Sequence, residues 1–199
     1  MRFIKRRSDW RLGRWTAKKA ILSLFRSSHK LKDIEILPDM DGSPQTFILG
    51  DRAPFSLSIS HSQSIAMSCI YAEGFNLGCD IEYIEDRSEA FVADYFTKDE
   101  LTMMQDSEPA QKNIVSNLIW SAKESALKTL REGLRLDTRS VSFICEKIDF
   151  SSEWFPIKIQ VNNTSTLHGW ARIGERFVQT IACEQPTSKP VRISTNHLS

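Results

Sequence analysis

Apolar and polar positions along this chain follow a helical period and then a strand period, twice in succession. In the first round, residues 9–27 predict a helix, because apolar side chains recur there at close to 3.6-residue spacing: Leu12, Trp15, Ala17, Ile21, Leu22 and Phe25. A segment rich in turn-forming residues, 38–44, comes next. Four segments of strand composition then follow, at 46–49, 55–60, 65–72 and 77–83.

The second round repeats this order. Residues 88–106 predict two short helices broken at Thr97, and residues 110–131 predict a longer helix that ends near Gly133. Strands are predicted again at 141–145, 157–161, 167–173 and 176–183.

A weak internal repeat connects the two rounds. Residues 15–20 (WTAKKA) resemble residues 120–125 (WSAKES), and each segment precedes a set of strands. The sequence therefore predicts an α+β fold of two similar helix-plus-sheet halves, residues 1–85 and 86–185, related by a pseudo-twofold with a site at their interface. We expect a monomer with a flexible tail at 186–199.

Composition is that of an ordinary globular protein. The 199 residues are 41% hydrophobic and 26% charged, with a net charge of +1. No apolar run approaches the length of a membrane span, and no apolar segment of a signal peptide follows the charged N-terminus. The four cysteines lack Cys-x-x-Cys spacing, which favours reduced thiols and a cytoplasmic protein.

Charge is unevenly distributed near the N-terminus. Residues 1–19 contain eight basic side chains against the single acid Asp9. This pattern is typical either of a solvated basic helix or of an anion site for a polyphosphate ligand. Nucleic acid is disfavoured as a partner, because no basic stripe interleaved with aromatic residues continues along the chain.

Two carboxylates share one face of the predicted strand 77–83. Alternation directs Asp80 and Glu82 to one side, and Cys79, Ile81 and Tyr83 to the other, towards a core. One interpretation is a half-exposed strand that carries two acids. The other is a cation site, because neighbouring like charges are unfavourable unless a cation lies between them.

A third carboxylate lies on the predicted helix 110–131. Trp120, Glu124 and Lys128 recur every four residues on one helix face, with Lys123 beside them. An exposed Glu–Lys pair would explain this spacing, although the tryptophan argues against an open surface. Alternatively, Glu124 completes with Asp80 and Glu82 the oxygen ligands that suit Mg²⁺ in phosphate chemistry.

Two further residues have competing interpretations. His61 follows a strand within Ser58-Ile59-Ser60-His61-Ser62, where it is either structural or a phosphate donor. Glu100 lies three residues after Thr97, which is the spacing of a helix capping box.

Four motifs in this order resemble the 4′-phosphopantetheinyl transferases, and in particular their larger, pseudo-dimeric (surfactin-synthetase-activating) group, which acts on carrier proteins. The motifs are Ser-x-Ser-His-Ser at 58–62, Gly-x-Asp-Ile-Glu at 78–82, Phe96-x-x-x-Glu100 and Trp-Ser-Ala-Lys-Glu-Ser-x-x-Lys at 120–128. The resemblance implies transfer of phosphopantetheine from coenzyme A to a serine of an apo acyl or peptidyl carrier protein. Adenosine 3′,5′-bisphosphate would be released.

The resemblance also implies roles for particular residues. Asp80, Glu82 and Glu124 would hold Mg²⁺ against the pyrophosphate, and Glu124 or a metal-bound water would deprotonate the incoming serine. Lys128 would stabilise or protonate the departing bisphosphate. The coenzyme would be bound by Arg14, Lys18, Ser60, His61 and Lys123.

Two departures from the family pattern concern the residues expected to bind coenzyme A. The turn Gly42-Ser43-Pro44 lacks the cation that members often carry at its middle position, and the segment before the first helix is short. An alternative function is therefore a non-catalytic module that binds coenzyme A or a carrier protein.

Overall fold

One long helix and a run of strands are followed by three helices and a second run of strands in the computed structural model, which describes residues 2–25, 29–132, 135–162 and 164–193. These residues form four α-helices: α1 (Arg2–Phe25), α2 (Glu89–Tyr95), α3 (Lys98–Gln105) and α4 (Lys112–Thr129). The strands are β1 (Ile34–Pro38), β2 (Pro44–Ile48), β3 (Asp51–Arg52), β4 (Phe55–Ser62), β5 (Ile65–Ala72), β6 (Leu77–Tyr83), β7 (Val141–Ile144), β8 (Phe155–Val161), β9 (Ser165–Ile173) and β10 (Phe177–Cys183).

Strand and helix positions agree with most of the sequence predictions. Strands β5 and β6 have the predicted bounds, and the predicted break at Thr97 is confirmed. Helix α1 begins at Arg2 rather than at residue 9, while residues 26–27 and Gly133 lie outside the described residues. The prediction missed β1, although its buried Ile34 and Ile36 alternate with exposed Glu35.

All strands pair antiparallel, in three sheets. The sheet orders are β1-β2-β3, β4-β5 and β6-β10-β9-β8-β7. The predicted α+β class is thereby confirmed. Strand β6 forms the edge of the five-stranded sheet and pairs along its whole length with β10. It therefore carries the chain from the first set of strands into the second sheet.

Two hydrophobic clusters hold these layers together. The larger one packs the buried face of α4 against the five-stranded sheet. The smaller one packs α1 on β1 and β4 through Ala17, Ile21 and Leu22. The predicted apolar stripe of α1 is wrong at two of its six positions, because Trp15 and Phe25 are 54% and 48% exposed.

The C-terminal segment contacts the five-stranded sheet over part of its length. Trp170 Nε1 donates a hydrogen bond to Thr187 Oγ1 at 3.0 Å, and Lys189 Nζ lies 2.8 Å from Glu153 Oε2. Within the predicted tail, Thr187 thus contacts β9 and Lys189 contacts the segment before β8, while residues 194–199 lie outside the described residues. None of the helices in the described ranges has the length and apolarity needed to cross a bilayer.

Candidate functional site

Strands β4 and β6 are joined by serine side chains rather than by a backbone ladder. Cys79 N donates to Ser58 Oγ at 2.9 Å, and Tyr83 N donates to Ser62 Oγ at 3.1 Å. Between them, Ser60 Oγ donates to Asp80 Oδ1 at 2.7 Å. Because alternate side chains of a strand share a face, the Ser-x-Ser-x-Ser spacing is what brings all three hydroxyls to β6.

Helix α4 lies directly against β6 because residue 78 is glycine. A Cβ atom at this position would lie 1.9 Å from Ser125 O and 2.8 Å from Thr129 N, both in the backbone of α4. The close approach places the face of α4 that carries Glu124 and Lys128 against the strand that carries Asp80. Gly78 belongs to the motif at 78–82, but its steric role could not be seen from the sequence.

Asp80 is the most enclosed of the predicted metal ligands, with only 3% of its surface exposed. Its Oδ1 atom accepts hydrogen bonds from Ser60 Oγ and Lys128 Nζ, both at 2.7 Å. Its Oδ2 atom is buried and has no hydrogen-bond partner among the described residues. The interpretation of 77–83 as a half-exposed strand is therefore wrong, since β6 is covered on both faces.

Lys128 and Glu124 are the α4 residues of a charged group that also contains Asp80 and Glu82. Burial pulls the pKa of Lys128 down, but the Asp80 carboxylate and its hydrogen bond outweigh this effect, and the net pKa is raised. Burial raises the pKa of Glu124, with Lys128 opposing the change and Asp80 adding to it. Lys128 is therefore held as an ammonium ion, while Glu124 becomes a stronger base than an exposed carboxylate.

Two hydrogen-bond donors, Arg87 and Trp120, orient the Glu82 carboxylate. The sequence analysis did not predict either contact. Arg87 Nη2 lies 3.1 Å from Glu82 Oε2, and Trp120 Nε1 donates to Glu82 Oε1 at 3.2 Å. Arg87 is itself fixed by Asn117 Oδ1, which accepts from its Nε at 2.8 Å. Burial, followed by the charge of Asp80, raises the pKa of Glu82 to about 7 despite these donors.

The donor chemistry of this group fits a divalent cation. The Asp80 charge raises the pKa of both Glu82 and Glu124. Asp80 Oδ2 has no hydrogen-bond partner among the described residues, so a cation would satisfy this oxygen. Within the described ranges, no three carboxylate, imidazole or thiol groups are already arranged to hold a metal ion. Joint ligation by all three acids therefore requires Glu82 or Glu124 to move.

Lys123 lies apart from the group, although sequence reasoning placed it at a phosphate. Its side chain is completely buried, with Nζ 2.8 Å from Glu100 Oε2 and donating to Thr138 O at 2.9 Å. A side chain without exposed surface cannot contact a phosphate unless the core opens, so we assign Lys123 a structural role. The predicted capping box of Glu100 is confirmed, and Glu100 Oε1 also accepts from Phe143 N at 2.7 Å.

The remaining predicted coenzyme-binding residues divide between the two faces of β4. Ser60 faces Asp80, whereas its neighbour Ile59 contacts α1 at Gly13, so strand alternation places exposed His61 on the α1 side. Arg14 and Lys18 belong to α1. Their side chains contact β1 and the segment before it, through Arg14 Nε to Ile36 O at 3.2 Å and Lys18 Nζ to Leu31 O at 3.1 Å.

A cavity of about 300 Å³ opens beside Lys128. It lies between the turn at 41–43 with the start of β2, strand β4 and the C-terminal end of α4. Its lining combines apolar side chains with basic groups and small polar groups. The basic residues are Arg52, Lys128 and Arg131, and Asp41 is the acid. A ligand that is anionic at one end and apolar or planar at the other matches this lining.

Two comparisons relate the chain to known proteins. A search among curated proteins found no significant match. A family model described as the 4′-phosphopantetheinyl transferase superfamily matches residues 76–182, which are 107 of the 199 residues and carry all three acids together with Lys128. The chain therefore belongs to the 4′-phosphopantetheinyl transferase superfamily.

Proposed function

We propose that this protein transfers 4′-phosphopantetheine from coenzyme A to a serine hydroxyl of an apo acyl or peptidyl carrier protein, as a holo-carrier-protein synthase. The observation that carries the proposal is the convergence of Asp80 and Lys128, 2.7 Å apart, beside a cavity with a basic lining. Membership of the superfamily supports phosphopantetheine transfer in general.

In the proposed reaction, the carrier serine oxygen attacks the phosphorus atom that bears the pantetheine arm. The bond from this phosphorus to the bridging pyrophosphate oxygen breaks, and adenosine 3′,5′-bisphosphate leaves. Glu124 accepts the serine proton, a role that its raised pKa favours near neutral pH. Lys128 stabilises charge on the leaving phosphate as an ammonium ion, because its raised pKa opposes proton donation.

The proposal includes magnesium dependence. Asp80, Glu82 and Glu124 would hold the ion, as hard oxygen donors do. When bound, magnesium would neutralise charge on the pyrophosphate. Asp80 Oδ2, which has no hydrogen-bond partner in the described part of the chain, supports a cation at the site.

For the coenzyme itself, we propose contacts on both faces of β4. Ser60 is on the Asp80 side, and Arg14, Lys18 and His61 are on the α1 side. A pseudo-twofold relation between two halves, divided near residue 85, remains part of this proposal. It is supported by the equal burial of Ala17 and Ala122, which are equivalent residues of the internal repeat.

We propose that the carrier protein approaches over an aromatic cluster beside Glu82. Phe91, Tyr95 and Trp120 contact one another with ring centroids 4.8–5.3 Å apart, and Tyr95 is 37% exposed. We expect the enzyme to act as a monomer. Its four free cysteines favour the cytoplasm as its location.

Intact-protein mass spectrometry tests the proposal. Several apo carrier proteins are incubated with the protein, coenzyme A and Mg²⁺, and each carrier is weighed. We expect one phosphopantetheine to be added to at least one carrier, with the addition abolished by a chelator and by Glu124→Gln. Glu132→Gln, which changes an exposed acid just beyond α4, serves as the matched control and should remain active.

A negative result in this assay would distinguish the alternative function from the proposed transfer reaction. If no carrier gains mass while calorimetry detects coenzyme A binding, the protein is a non-catalytic binding module of the same fold. Ser60 and Lys128 already donate to Asp80 Oδ1, an oxygen that a catalytic metal would otherwise use, and this observation favours the binding module as the alternative.

A further inference from the structure

Arg131 occupies a backbone position where arginine is unfavourable. It follows the C-cap of α4 with φ of 59°, in the left-handed region that favours glycine or asparagine. Arg131 N donates to Lys128 O and Glu132 N to Leu127 O, both at 3.2 Å, which is the Schellman pattern of helix ends. Glycine would form the same turn without strain, so the arginine side chain needs another explanation.

This side chain reaches the wall of the cavity beside Lys128. Arg131 Nη1 lies 3.4 Å from Asp41 Oδ2 and 3.9 Å from Asp39 Oδ2, across the opening between α4 and the turn that precedes β2. The turn fixes Asp41 in place, since Ser43 N donates to Asp41 Oδ1 at 2.8 Å. The guanidinium is therefore held at the cavity edge instead of extending into solvent.

The contact with the two aspartates is of a kind that a ligand can replace. The side chains of Arg131, Asp39 and Asp41 are 41%, 28% and 23% exposed, and ion pairs at such exposure are weak. Phosphate oxygens accept from guanidinium in a bidentate geometry and make stronger hydrogen bonds than a single partly solvated carboxylate contact. The aspartates can thus orient Arg131 for an anion without competing strongly with it.

The charges around the cavity favour a phosphorylated ligand. Three basic residues, Arg52, Lys128 and Arg131, face one acid, Asp41, giving a formal excess of two positive charges. Lys128 is already paired with Asp80 at 2.7 Å, so Arg52 and the weakly paired Arg131 supply the positive charge that remains available. Apolar side chains, including Leu57 and Leu127, line the interior and suit the organic part of such a ligand.

We infer that Arg131 binds the phosphates of coenzyme A in this cavity and determines the affinity of the enzyme for its coenzyme. The inference rests on the proposed function, since it names a coenzyme-binding residue of that same site. Arg131 acts in binding and leaves the reacting groups, Glu124 and Lys128, unchanged. Its contribution therefore appears in coenzyme affinity rather than in turnover.

The test replaces Arg131 by the residue that its backbone prefers. Arg131→Gly should raise the coenzyme A dissociation constant in calorimetry, and KM for coenzyme A in the transfer assay, by about tenfold or more, because a charge-assisted contact is lost. Turnover at saturating coenzyme should change little. The melting temperature of the free protein should be equal or higher, because glycine relieves the strained φ.

Two further variants make the result specific. Arg139→Ala removes an exposed arginine that pairs with Asp137 and does not line the cavity, so coenzyme affinity should stay at the wild-type value. Ser43→Lys, placed in the Arg131→Gly background, adds a cation on the opposite wall of the cavity and should recover part of the affinity.

The outcomes separate this inference from the function on which it rests. Unchanged coenzyme A binding and KM in Arg131→Gly would overturn the role of Arg131, while transfer by the wild type would still establish the reaction. If the wild type binds coenzyme A without transferring phosphopantetheine, the proposed reaction fails. Arg131 is then judged by the calorimetric binding alone, where a loss supports it and no change overturns it.

Discussion

The protonation of Glu82 links the candidate site to the stability of the fold. Its pKa is about 7 in the folded protein against an ordinary 4.5, because burial and the charge of Asp80 favour the neutral acid. The folded state therefore binds this proton more tightly than the unfolded state. Stability is highest while Glu82 is protonated, and it falls as the pH rises from below 4.5 through about 7.

The size of this effect follows from the shift. A difference between 4.5 and about 7 corresponds to about 3 kcal/mol of unfolding free energy at a pH above both values. The Glu82 side chain is 22% exposed, so solvent screening reduces the effect only in part. Glu82→Gln keeps the size of the side chain and an oxygen acceptor for Arg87, but it cannot ionise.

We therefore expect Glu82→Gln to be more stable than the wild type near pH 8, by up to about 3 kcal/mol or roughly 6–12 °C in melting temperature. Near pH 4.5 the two proteins should differ little. Denaturant and thermal unfolding at both pH values measure the difference. Magnesium should narrow the gap near pH 8 by stabilising the wild type, if Glu82 is a ligand.

Glu85→Gln is the matched control for this experiment. Glu85 also faces Arg87, at 3.8 Å, but its side chain is 50% exposed, so its substitution should give no comparable gain near pH 8. The reasoning is refuted if Glu82→Gln is no more stable than the wild type near pH 8, or if its advantage is the same at both pH values.

Three other predictions concern single residues. Glu124→Gln should abolish transfer, because Glu124 accepts the serine proton in the proposed reaction. The melting temperature should stay equal or rise, because burial disfavours the Glu124 charge. Full activity in the carrier assay would contradict the role of Glu124. Lys123→Met should lower the unfolding free energy by about 3–5 kcal/mol in urea titrations, because it leaves Glu100 buried without a countercharge, and a mild effect would show that the pair is dispensable. Gly78→Ala should destabilise the protein by about 1–3 kcal/mol or more, because its Cβ would overlap Ser125 O; a melting temperature within about 2 °C of the wild type would contradict the close packing of β6 and α4.

The local pattern of apolar and polar residues was enough to predict many of the helices and strands. Helices and strands depend on side-chain period and on caps, so the break at Thr97 and the bounds of β5 and β6 could be predicted. The errors occurred where tertiary contacts decide the outcome. Helix α1 extends to Arg2 with little amphipathic pattern, and Trp15 is exposed although its repeat partner Trp120 packs against other aromatic rings.

The candidate site was also predictable in part from sequence and in part only from tertiary contacts. The face-sharing of Asp80 with Glu82, and of Glu124 with Lys128, follows from strand and helix periods and was available from sequence. The partners of each group were not. Lys123 and Lys128 are neighbouring lysines of one motif, yet one is closed off by Glu100 and the other meets Asp80 at the cavity.

The sequence by itself determined the residue types, their order and the faces of the elements that carry them. This was enough to indicate a family and its three acids. Tertiary structure decided which charges are buried, which donors hold them and where the cavity opens. The physical reason is that burial and electrostatic pairing depend on distances between residues far apart in the chain, such as Glu82 and Trp120 or Asp41 and Arg131.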